Sequence, residues 1–568
     1  MKYNANLMLR NIVTVSMLSA FLLLPITAFS DPSTLEEFNS IDRGFKLFTE
    51  ETFEGNGRSC GTCHIPGRQY NINPDDIKRA SWKDRKLIFA TNVPGLENPT
   101  LVKKLALFNV EGGDALHPEE GEEGEHPVFR GSMTVGPLAL TTNGPPVIAD
   151  GVIQLGFQNP KIGWAGNGSP GAPDESPAPG LQQNPAHPLF QFHHGNTDIN
   201  ADKSIRAFAN GAIAQHNPKT LARIAKSSVC DPDINNPDTP CNKPYDFRFA
   251  TDAELDDMKA FQEWLGRRDE LRIETLIFNN KHAINGKALY MSNQASCNVC
   301  HADGGSGFRA AARSPAPAVN IHQHSDINEE AARLSALTGV FIPEDPGITI
   351  TPPPPNDVTE AHAFNGQPVI EAARKRTFFH NHAFTGDIEK ASEFYFTENF
   401  NNSTIGGALQ GLLTGPAQGG DGTGNGHLTT IDDFLAFGGK NAFKELGAFM
   451  RALSAWYSLK DCERLIDEAI LRIEAGADII NPIKHCAFNL KDTHDVLITA
   501  KVRYLHRGIA KSMLGTKHKL FSAAYGHNYG KSTVKTIRKL ERVKARIAKL
   551  RNRIATIEQP PVVATAVN

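Results

Sequence analysis

The stretch GNGRSCGTCHIPGRQYNI, residues 55–72, contains two cysteines three positions apart and a histidine directly after the second: Cys60, Cys63 and His64. A second stretch, ASCNVCHADGGSG, residues 295–307, repeats this arrangement much later in the chain with Cys297, Cys300 and His301. The chain has eight cysteines, so these two C-x-x-C-H patterns take half of them. The chemistry of the patterns decides how the rest of the sequence is interpreted.

C-x-x-C-H is the attachment sequence for c-type haem. The two thiols bond to the haem vinyl groups, and the histidine becomes the proximal iron ligand. A thioredoxin-type redox pair has no need of the histidine and would lie in a βαβ pattern, which this sequence lacks. A zinc site would need a second Cys/His pair at close range. Two such patterns therefore predict two covalently bound haem c groups, with His64 and His301 as proximal ligands.

The first thirty residues have the parts of a secretory signal peptide. Basic Lys2 and Arg10 precede an apolar run, Ile12–Phe29, and small residues follow. The alternative is an uncleaved membrane anchor, but the run is short for a bilayer span and contains Pro25. We therefore expect a signal peptide over residues 1–30 and a periplasmic or secreted mature protein.

The four remaining cysteines can form disulfides in an oxidising compartment. Their proximity in the sequence predicts two pairs, Cys230 with Cys241 and Cys462 with Cys486. Hydrophobic residues make up 40% of the chain and charged residues 21%, as in an ordinary globular enzyme. The formal net charge of −3 is too small to indicate a nucleic-acid partner.

Helical spacing of apolar residues dominates the stretches that flank both patterns. Strand-like alternation is scarce, and proline and glycine cluster in long segments typical of loops. We expect a mainly α fold with two cytochrome c-like haem domains, residues 31–280 and 281–458. Both domains contain long loop insertions, and those of the N-terminal domain are rich in proline and glycine. A helical extension is expected over residues 459–568.

Seven stretches between Phe45 and Tyr457 resemble the bacterial di-haem cytochrome c peroxidase family. This family includes the methylamine-utilisation maturation enzymes and the di-haem rubber oxygenases. The stretches are GNGRSCGTCH, GWAGNGSPG, SIRAFANGAIAQH, DFRFATDAELDDMKAFQEWLGRRDEL, SCNVCHADGG, FNGQPVIEAARKRTFFHNHAFTGDIEKASEFY and ELGAFMRALSAWYS. The resemblance implies an oxidoreductase whose N-terminal haem is the reaction site. It also implies a C-terminal haem that receives electrons from a small donor, a cytochrome c or a cupredoxin.

The resemblance places Trp164, in GWAGNG, where the family has a tryptophan between the haems. An indole between two irons can relay electrons or hold a radical. The alternative for Trp164 is aromatic packing within a loop rich in proline and glycine.

The residues expected over the N-terminal haem depart from the peroxidases of the family. These carry Ser-Leu-Glu-Glu-Gln-Ala, whereas the matching stretch here is SIRAFA, Ser204–Ala209, so Phe208 replaces the glutamine. Pro218 lies near the place of a second acid–base residue, a glutamate. An apolar residue here is closer to the rubber-oxygenase arrangement and to dioxygen as the oxidant. Gln215 and His216 are the nearest groups able to move a proton. The alternative for His216 is a bond to a backbone carbonyl.

In the C-terminal half, FFHNHAF resembles the Phe-His-Asp-Gly turn of the family and gives His380 the matched position. Further along, EKASEFY places Tyr395 within one residue of the sixth iron ligand. That ligand is methionine in the peroxidases and tyrosine in the maturation enzymes, and its identity sets the reduction potential. His382, His427 and Met450 are rival ligands, although Met450 is better explained as a core residue.

Calcium between the haems, which the resemblance implies, is a weaker expectation here. Lys375, Arg376 and Thr377 stand where the family usually has Thr-Ala-Pro before the histidine.

Residues 531–557 predict a basic amphipathic helix. Its apolar positions recur at steps of three and four residues: Ile537, Leu540, Ile547, Leu550, Ile554 and Ile557. Three interpretations fit this pattern: a coiled-coil or docking arm, a membrane-surface segment, or a helix folded back on the body.

The leading function is reduction of hydrogen peroxide with electrons from a small redox protein. One alternative is haem-dependent oxidation of an organic or protein substrate with dioxygen, which Phe208 favours. The other is a pure electron-transfer cytochrome without an open iron.

Overall fold

The computed structural model describes residues 34–110, 128–132, 134–136, 147–149, 152–154, 204–229, 243–265, 273–301, 304, 322–324, 329–340, 342, 363–365, 369–401, 430–502, 505–528 and 532–558. Within these ranges the protein is mainly helical, which confirms the mainly α part of the expected fold class. Several predictions concern residues outside the described ranges: the signal peptide, Trp164, His427 and the pair Cys230 and Cys241.

The α-helices of the described residues, numbered in chain order, are α1 (Leu35–Glu50), α2 (Pro74–Arg79), α3 (Trp82–Ile88), α4 (Pro99–Leu105), α5 (Ser204–His216), α6 (Lys226–Val229), α7 (Asp252–Leu265), α8 (Lys281–Met291), α9 (Cys297–Cys300), α10 (Glu329–Thr338), α11 (Ile388–Phe394), α12 (Glu398–Asn401), α13 (Ile431–Gly438), α14 (Ala442–Ala475), α15 (Ile480–Ile498), α16 (Arg507–Asn528) and α17 (Thr533–Asn552). Short 3-10 turns occur at Cys60–Thr62, Ile273–Thr275 and Ala372–Arg374.

The strands of the described residues are short and pair two by two, all antiparallel. They are β1 (Leu107–Val110), β2 (Val128–Gly131), β3 (Val147–Ala149), β4 (Val152–Gln154), β5 (Leu276–Phe278), β6 (His322–His324), β7 (Ala363–Asn365), β8 (Thr377–Phe378), β9 (Phe384–Thr385) and β10 (Ala555–Ile557). The pairs are β1 with β2, β3 with β4, β5 with β10, β6 with β7, and β8 with β9.

Helix α1 crosses α7 at a glycine. A side chain on Gly44 would place its Cβ 1.9 Å from the carbonyl oxygen of Asp257 and 2.8 Å from the Cβ of Phe261. Four residues before the glycine, the Ser40 hydroxyl donates to the Asp257 carboxylate over 2.7 Å. Only glycine permits so close an approach, because the two backbones touch at the crossing.

Helices α8 and α14 cross in the same way. A Cβ on Gly286 would lie 1.9 Å from the carbonyl oxygen of Glu445 and 2.7 Å from the Cβ of Phe449. Four residues before this glycine, Nδ1 of His282 lies 3.2 Å from the Glu445 carboxylate. The α1–α7 and α8–α14 pairs therefore share one packing arrangement. Along the chain, each C-x-x-C-H pattern follows the first helix of one pair and precedes the second.

Helix α14 is the centre of the largest hydrophobic core, in which Trp456 is fully buried. It runs without interruption through residue 458, the expected end of the C-terminal haem domain. The expected disulfide joins Cys462 of α14 to Cys486 of α15, with the two Cα atoms 4.4 Å apart. The extension over residues 459–568 therefore begins inside a core helix and packs on it.

The basic amphipathic helix predicted over residues 531–557 is α17, but it ends at Asn552, and Ile557 lies exposed in strand β10. Helix α17 is folded back on the body, one of the three expected arrangements. Its apolar face is buried: Leu540, Val543, Ile547 and Leu550. It packs against α14 and α16, and the strand that follows it, β10, pairs with β5. In the described part of the chain, no helix has both the length and the apolar character needed to cross a membrane.

Candidate haem centres

The first C-x-x-C-H pattern forms one tight turn. Cys60 begins the 3-10 turn, and the backbone amide of His64 donates to the Cys60 carbonyl over 2.9 Å. The thiols of Cys60 and Cys63 are free and partly buried. Burial raises the pKa of Cys60 to about 11 and that of Cys63 to about 12, so both are neutral thiols at pH 7. Two free thiols and an imidazole on a single turn fit covalent haem attachment.

The imidazole of His64 is held in one tautomer. Its Nδ1 lies 2.8 Å from the backbone carbonyl oxygen of Tyr70 and 3.3 Å from the Ser132 hydroxyl. A carbonyl oxygen can only accept, so Nδ1 carries the hydrogen and Nε2 has the lone pair. A hydrogen bond from the far nitrogen to a carbonyl is the usual support of a metal-binding histidine.

Sequence reasoning missed Arg58, which lies two residues before Cys60. Its guanidinium is buried and paired with the buried carboxylate of Glu97 over 2.7 Å. It also donates to the carbonyl oxygens of Leu87 and Ile88, each over 2.7 Å. Arg58 therefore fixes the segment that leads into the first C-x-x-C-H turn. In the local sequence, only its position two residues before Cys60 points to this role, because its partner Glu97 is far away in the sequence.

The end of α5 lies against the segment that leads into this turn. The side-chain amide of Asn56 donates to the carbonyl oxygens of His216 and Pro218, over 2.9 and 3.1 Å. The amide of Asn217 donates to the Arg58 carbonyl over 2.8 Å. The structure thus brings His216 and Pro218, at the end of α5 and just after it, next to the segment that leads into the first C-x-x-C-H turn.

His216 differs electrostatically from the expected acid–base residue. Burial, together with the nearby positive charges of Arg58 and His64, lowers its pKa to about 3. An unperturbed histidine would titrate near 6.5. His216 is therefore neutral at pH 7, and its imidazole accepts protons poorly.

Phe208 and Gln215 lie seven residues apart on α5, which places them on one face of the helix. Both are partly buried, and Phe208 packs against the largest hydrophobic core. The phenyl ring and the amide thus lie two turns apart on the same face.

The second C-x-x-C-H pattern forms helix α9 and the turn after it. The backbone amide of His301 donates to the Cys297 carbonyl over 2.9 Å, as His64 does to Cys60. The Tyr290 hydroxyl donates to the His301 carbonyl. The Cys300 side chain is outside the described part of the structure. The two turns share this backbone hydrogen bond, although the first is a 3-10 turn and the second is one turn of α-helix.

Tyr395 and Cys297 border the same apolar cluster. The buried members of that cluster are Leu289, Ala295, Phe396, Phe434, Ala442 and Phe443. The ring centroid of Tyr395 lies 6.1 Å from that of Phe379, directly before His380. Tyr395 therefore lies beside the apolar cluster that Cys297 borders and beside the turn that contains His380.

His380 and His382 are both buried, in a turn of the C-terminal half that contacts the N-terminal half. The carbonyl of His380 accepts from the Gly131 amide over 2.7 Å, and Nδ1 of His382 donates to the Leu105 carbonyl over 2.6 Å. Burial lowers the pKa of His382 to about 3. Met450 lies in the largest hydrophobic core, which agrees with the core assignment.

A cleft of about 250 Å³ lies beside the segment that precedes His380. Lys375 and Arg376 line it, with Arg68, Arg374, Asp76 and Asp495. Burial lowers the pKa of Lys375 to about 8. Across the described ranges, no three or more His, Cys, Asp or Glu side chains are grouped as a metal site.

No protein-family model and no curated protein matches this chain.

Proposed function

We propose that this chain is an exported di-haem c-type cytochrome oxidoreductase that reduces hydrogen peroxide with electrons from a small redox protein. The observation that carries the proposal is the repeated helix crossing. Each C-x-x-C-H turn lies between two helices that cross at a glycine, Gly44 in one half and Gly286 in the other. A helix, an attachment turn and a second helix, in that order, are the parts of a small cytochrome c domain.

The residues of the first turn fit a covalent haem. Cys60 and Cys63 would anchor it, and His64 would bind its iron through Nε2 with Nδ1–H held by the Tyr70 carbonyl. When bound, haem supplies the redox chemistry, because its iron can give electrons to an oxygen substrate and receive them from a donor. Neutral thiols suit this role, since they become thioethers and leave no charge in the buried turn.

The second turn would hold the haem that receives electrons. Cys297 and Cys300 would anchor this group, and His301 would be its proximal ligand. Tyr395, beside the same apolar cluster as Cys297, is the proposed sixth ligand. A ligand on both faces closes the iron to substrates, which suits electron storage better than catalysis.

A second candidate function is oxidation of an organic substrate with dioxygen. Phe208 favours it. Cleavage of the O–O bond of peroxide needs a proton at the leaving oxygen, which a phenyl ring does not provide. The low pKa of His216, about 3, means that its imidazole is not a charged acid at pH 7. Phe208 would instead exclude water and protons from the pocket.

Three measurements on the purified protein test these proposals. A pyridine haemochrome assay should give two covalent haems per chain, and electron paramagnetic resonance should show one high-spin and one low-spin ferric signal. Steady-state assays then compare peroxide-driven oxidation of a reduced small cytochrome with oxygen uptake. A count of one or none would end the di-haem proposal, and two low-spin signals in every redox state would favour pure electron transfer.

A further inference from the structure

We propose that helix α15 of the C-terminal extension positions the proximal ligand of the N-terminal haem, through His485 and Asp492. The inference rests on the proposed function, because it concerns His64 as an iron ligand. His485 and Asp492 are positioning residues, since they act on His64 through the loop that holds it.

The loop concerned is residues 65–72, the segment directly after His64. Its ends are joined by a bridge between Ile65 and Asn71. The backbone carbonyl of Tyr70, within this loop, accepts the hydrogen bond from Nδ1 of His64. The orientation of the imidazole therefore depends on the conformation of the loop.

That conformation is not one the loop prefers. Gln69 and Tyr70 both have positive φ, 55° and 53°, which is unfavourable for residues with side chains. Such conformations persist only where surrounding contacts impose them. The Thr134 hydroxyl supplies one contact by donating to the Gln69 carbonyl over 2.6 Å. Helix α15 supplies further contacts.

One face of α15 touches the loop at three places. The Tyr70 hydroxyl bonds to Nε2 of His485, and the Gln69 amide donates to the Asp492 carboxylate. Between them, Phe488 packs so closely on Gly67 that a Cβ there would lie 2.8 Å from its ring. Positions 485, 488 and 492 are three and four residues apart, so they form a single helical face. The extension thus holds both strained residues.

The direction of the Tyr70 bond is fixed by a second bond on the same imidazole. Nδ1 of His485 lies 2.8 Å from the Asn481 carbonyl, so it carries the hydrogen. Burial lowers the pKa of His485 to about 4, which keeps the ring neutral at pH 7. Nε2 therefore accepts from the Tyr70 hydroxyl. Hydrogen bonds thus join Asn481 to His485 and His485 to the side chain of Tyr70, the residue whose backbone carbonyl accepts from His64.

Arg374 connects this arrangement to the other half of the chain. Its guanidinium pairs with Asp492 and donates to the Gly67 carbonyl over 3.0 Å. Arg374 lies six residues before His380, on the approach to the proposed second haem. Helix α15 therefore holds the His64 loop and the C-terminal half in one arrangement.

The support that α15 gives the loop should affect how strongly His64 donates electrons to the iron. A firm hydrogen bond from Nδ1 makes an imidazole a stronger electron donor, which stabilises ferric iron. Loss of the Tyr70–His485 bond should let the loop relax and weaken the bond from His64. The reduction potential of the N-terminal haem should then rise, and its iron–histidine stretching frequency should fall.

The test compares Tyr70→Phe, His485→Phe and the double variant with wild type. Spectroelectrochemistry gives the midpoint potential of each haem, and resonance Raman spectroscopy of the reduced protein gives the iron–histidine stretch. We expect the same upward shift in potential for both single variants and no further shift for the double variant. His485→Gln, which retains an acceptor, should restore most of the wild-type value. The C-terminal haem should be unchanged.

Thr493→Val is the matched control. Thr493 is fully buried on the same helix, and its hydroxyl donates to the Asn489 carbonyl of that helix. It should move neither the potential nor the stretching frequency. Unchanged values in Tyr70→Phe and His485→Phe, with two haems bound, would overturn the inference and leave the proposed function intact.

Hydrogen exchange of the amides in residues 65–72 tests the same idea without depending on haem. Exchange should be faster in Tyr70→Phe and His485→Phe than in wild type or Thr493→Val. Equal exchange in all four proteins would show that α15 does not hold the loop. If wild type carries no haem, the proposed function fails, and the exchange result still decides whether α15 positions the loop.

Discussion

Gly286 lies directly against the backbone of Glu445, so that a Cβ on the glycine would come within 1.9 Å of the glutamate carbonyl oxygen. The distance for Gly44 and Asp257 is the same. At both crossings the acceptor is a backbone atom, which cannot move aside as the end of a flexible side chain can. The crossings therefore admit glycine alone. They set the distance between the two helices that precede and follow each C-x-x-C-H pattern along the chain.

Alanine at either crossing should destabilise the protein. Overpacking of a core typically costs about 1–3 kcal/mol, and a backbone clash belongs at the upper end or beyond. We expect Gly44→Ala and Gly286→Ala each to lower the free energy of unfolding by about 3 kcal/mol in denaturant titrations. Gly515→Ala, in α16 with open space around it, is the control and should stabilise by about 1 kcal/mol. Equal effects at all three glycines would contradict the crossing geometry.

Haem attachment should depend on the C-x-x-C-H cysteines and not on the disulfide. Cys300→Ala should leave one haem per chain in the pyridine haemochrome assay. The double variant Cys462→Ala with Cys486→Ala should retain two haems, because these cysteines form the α14–α15 disulfide. It should lose about 2–5 kcal/mol of stability, as is typical when a native disulfide is removed. Retention of two full haems by Cys300→Ala would refute the attachment assignment.

The residue at position 208 should control peroxide turnover. Acid–base assistance typically contributes about 10²–10⁴-fold, and the family resemblance gives Phe208 the place of a glutamine that provides it. We expect Phe208→Gln to raise steady-state peroxide turnover by at least about tenfold, whereas Phe208→Leu should not. No gain in Phe208→Gln would mean that this residue lies away from the reacting oxygen.

The pH profile of peroxide turnover should show no inflection from His216 between pH 5 and 8. The pKa of His216 is about 3, so its protonation state does not change in that range. The check is a comparison of wild type with His216→Gln across the range, which should give parallel profiles. A step near pH 6.5 that disappears in His216→Gln would show that the bound haem returns this pKa to the ordinary histidine range.

His506 should make the protein less stable in acid. Burial and the charge of Arg553 lower its pKa to about 4, whereas an unfolded histidine titrates near 6.5. Between these values the unfolded chain binds more protons, so stability falls as the pH falls from 6.5 to 4 and is unaffected above 6.5. The loss has an upper limit of about 3 kcal/mol.

His506→Asn tests this contribution, because asparagine tolerates the positive φ of 47° at this position. Urea titrations of both proteins at several pH values should show a steeper decline below pH 6.5 in wild type. Parallel declines would assign the acid sensitivity to other groups.

Tyr395 should set the potential of the C-terminal haem. A phenolate favours higher oxidation states of iron and a thioether favours the ferrous state. Tyr395→Met should therefore raise the midpoint potential of this haem, while Tyr395→Phe should convert its low-spin ferric signal to high-spin. If Tyr395→Phe leaves the signal low-spin, another residue is the sixth ligand.

The sequence by itself determined the features that are encoded by residues close together in the chain. Apolar spacing gave the mainly helical fold and the amphipathic α17, and the proximity of Cys462 and Cys486 gave their disulfide. The proposed attachment residues Cys60, Cys63 and His64 are recognisable in the sequence because covalent haem attachment needs only a short stretch of chain. Departures from the family pattern, such as Phe208, are also visible without a structure, although their effect on the reaction is not.

Tertiary structure decided what depends on contacts between distant residues and on burial. Tyr70 and His485 are 415 residues apart in sequence, and no periodicity predicts their hydrogen bond. The low pKa of His216 follows from desolvation, which arises only when the chain is packed. Helix α14 continues through residue 458 because its apolar positions are buried by α15 and α17, which come later in the chain. Local sequence specifies each helix, but the partner that buries its apolar face exists only in the folded molecule.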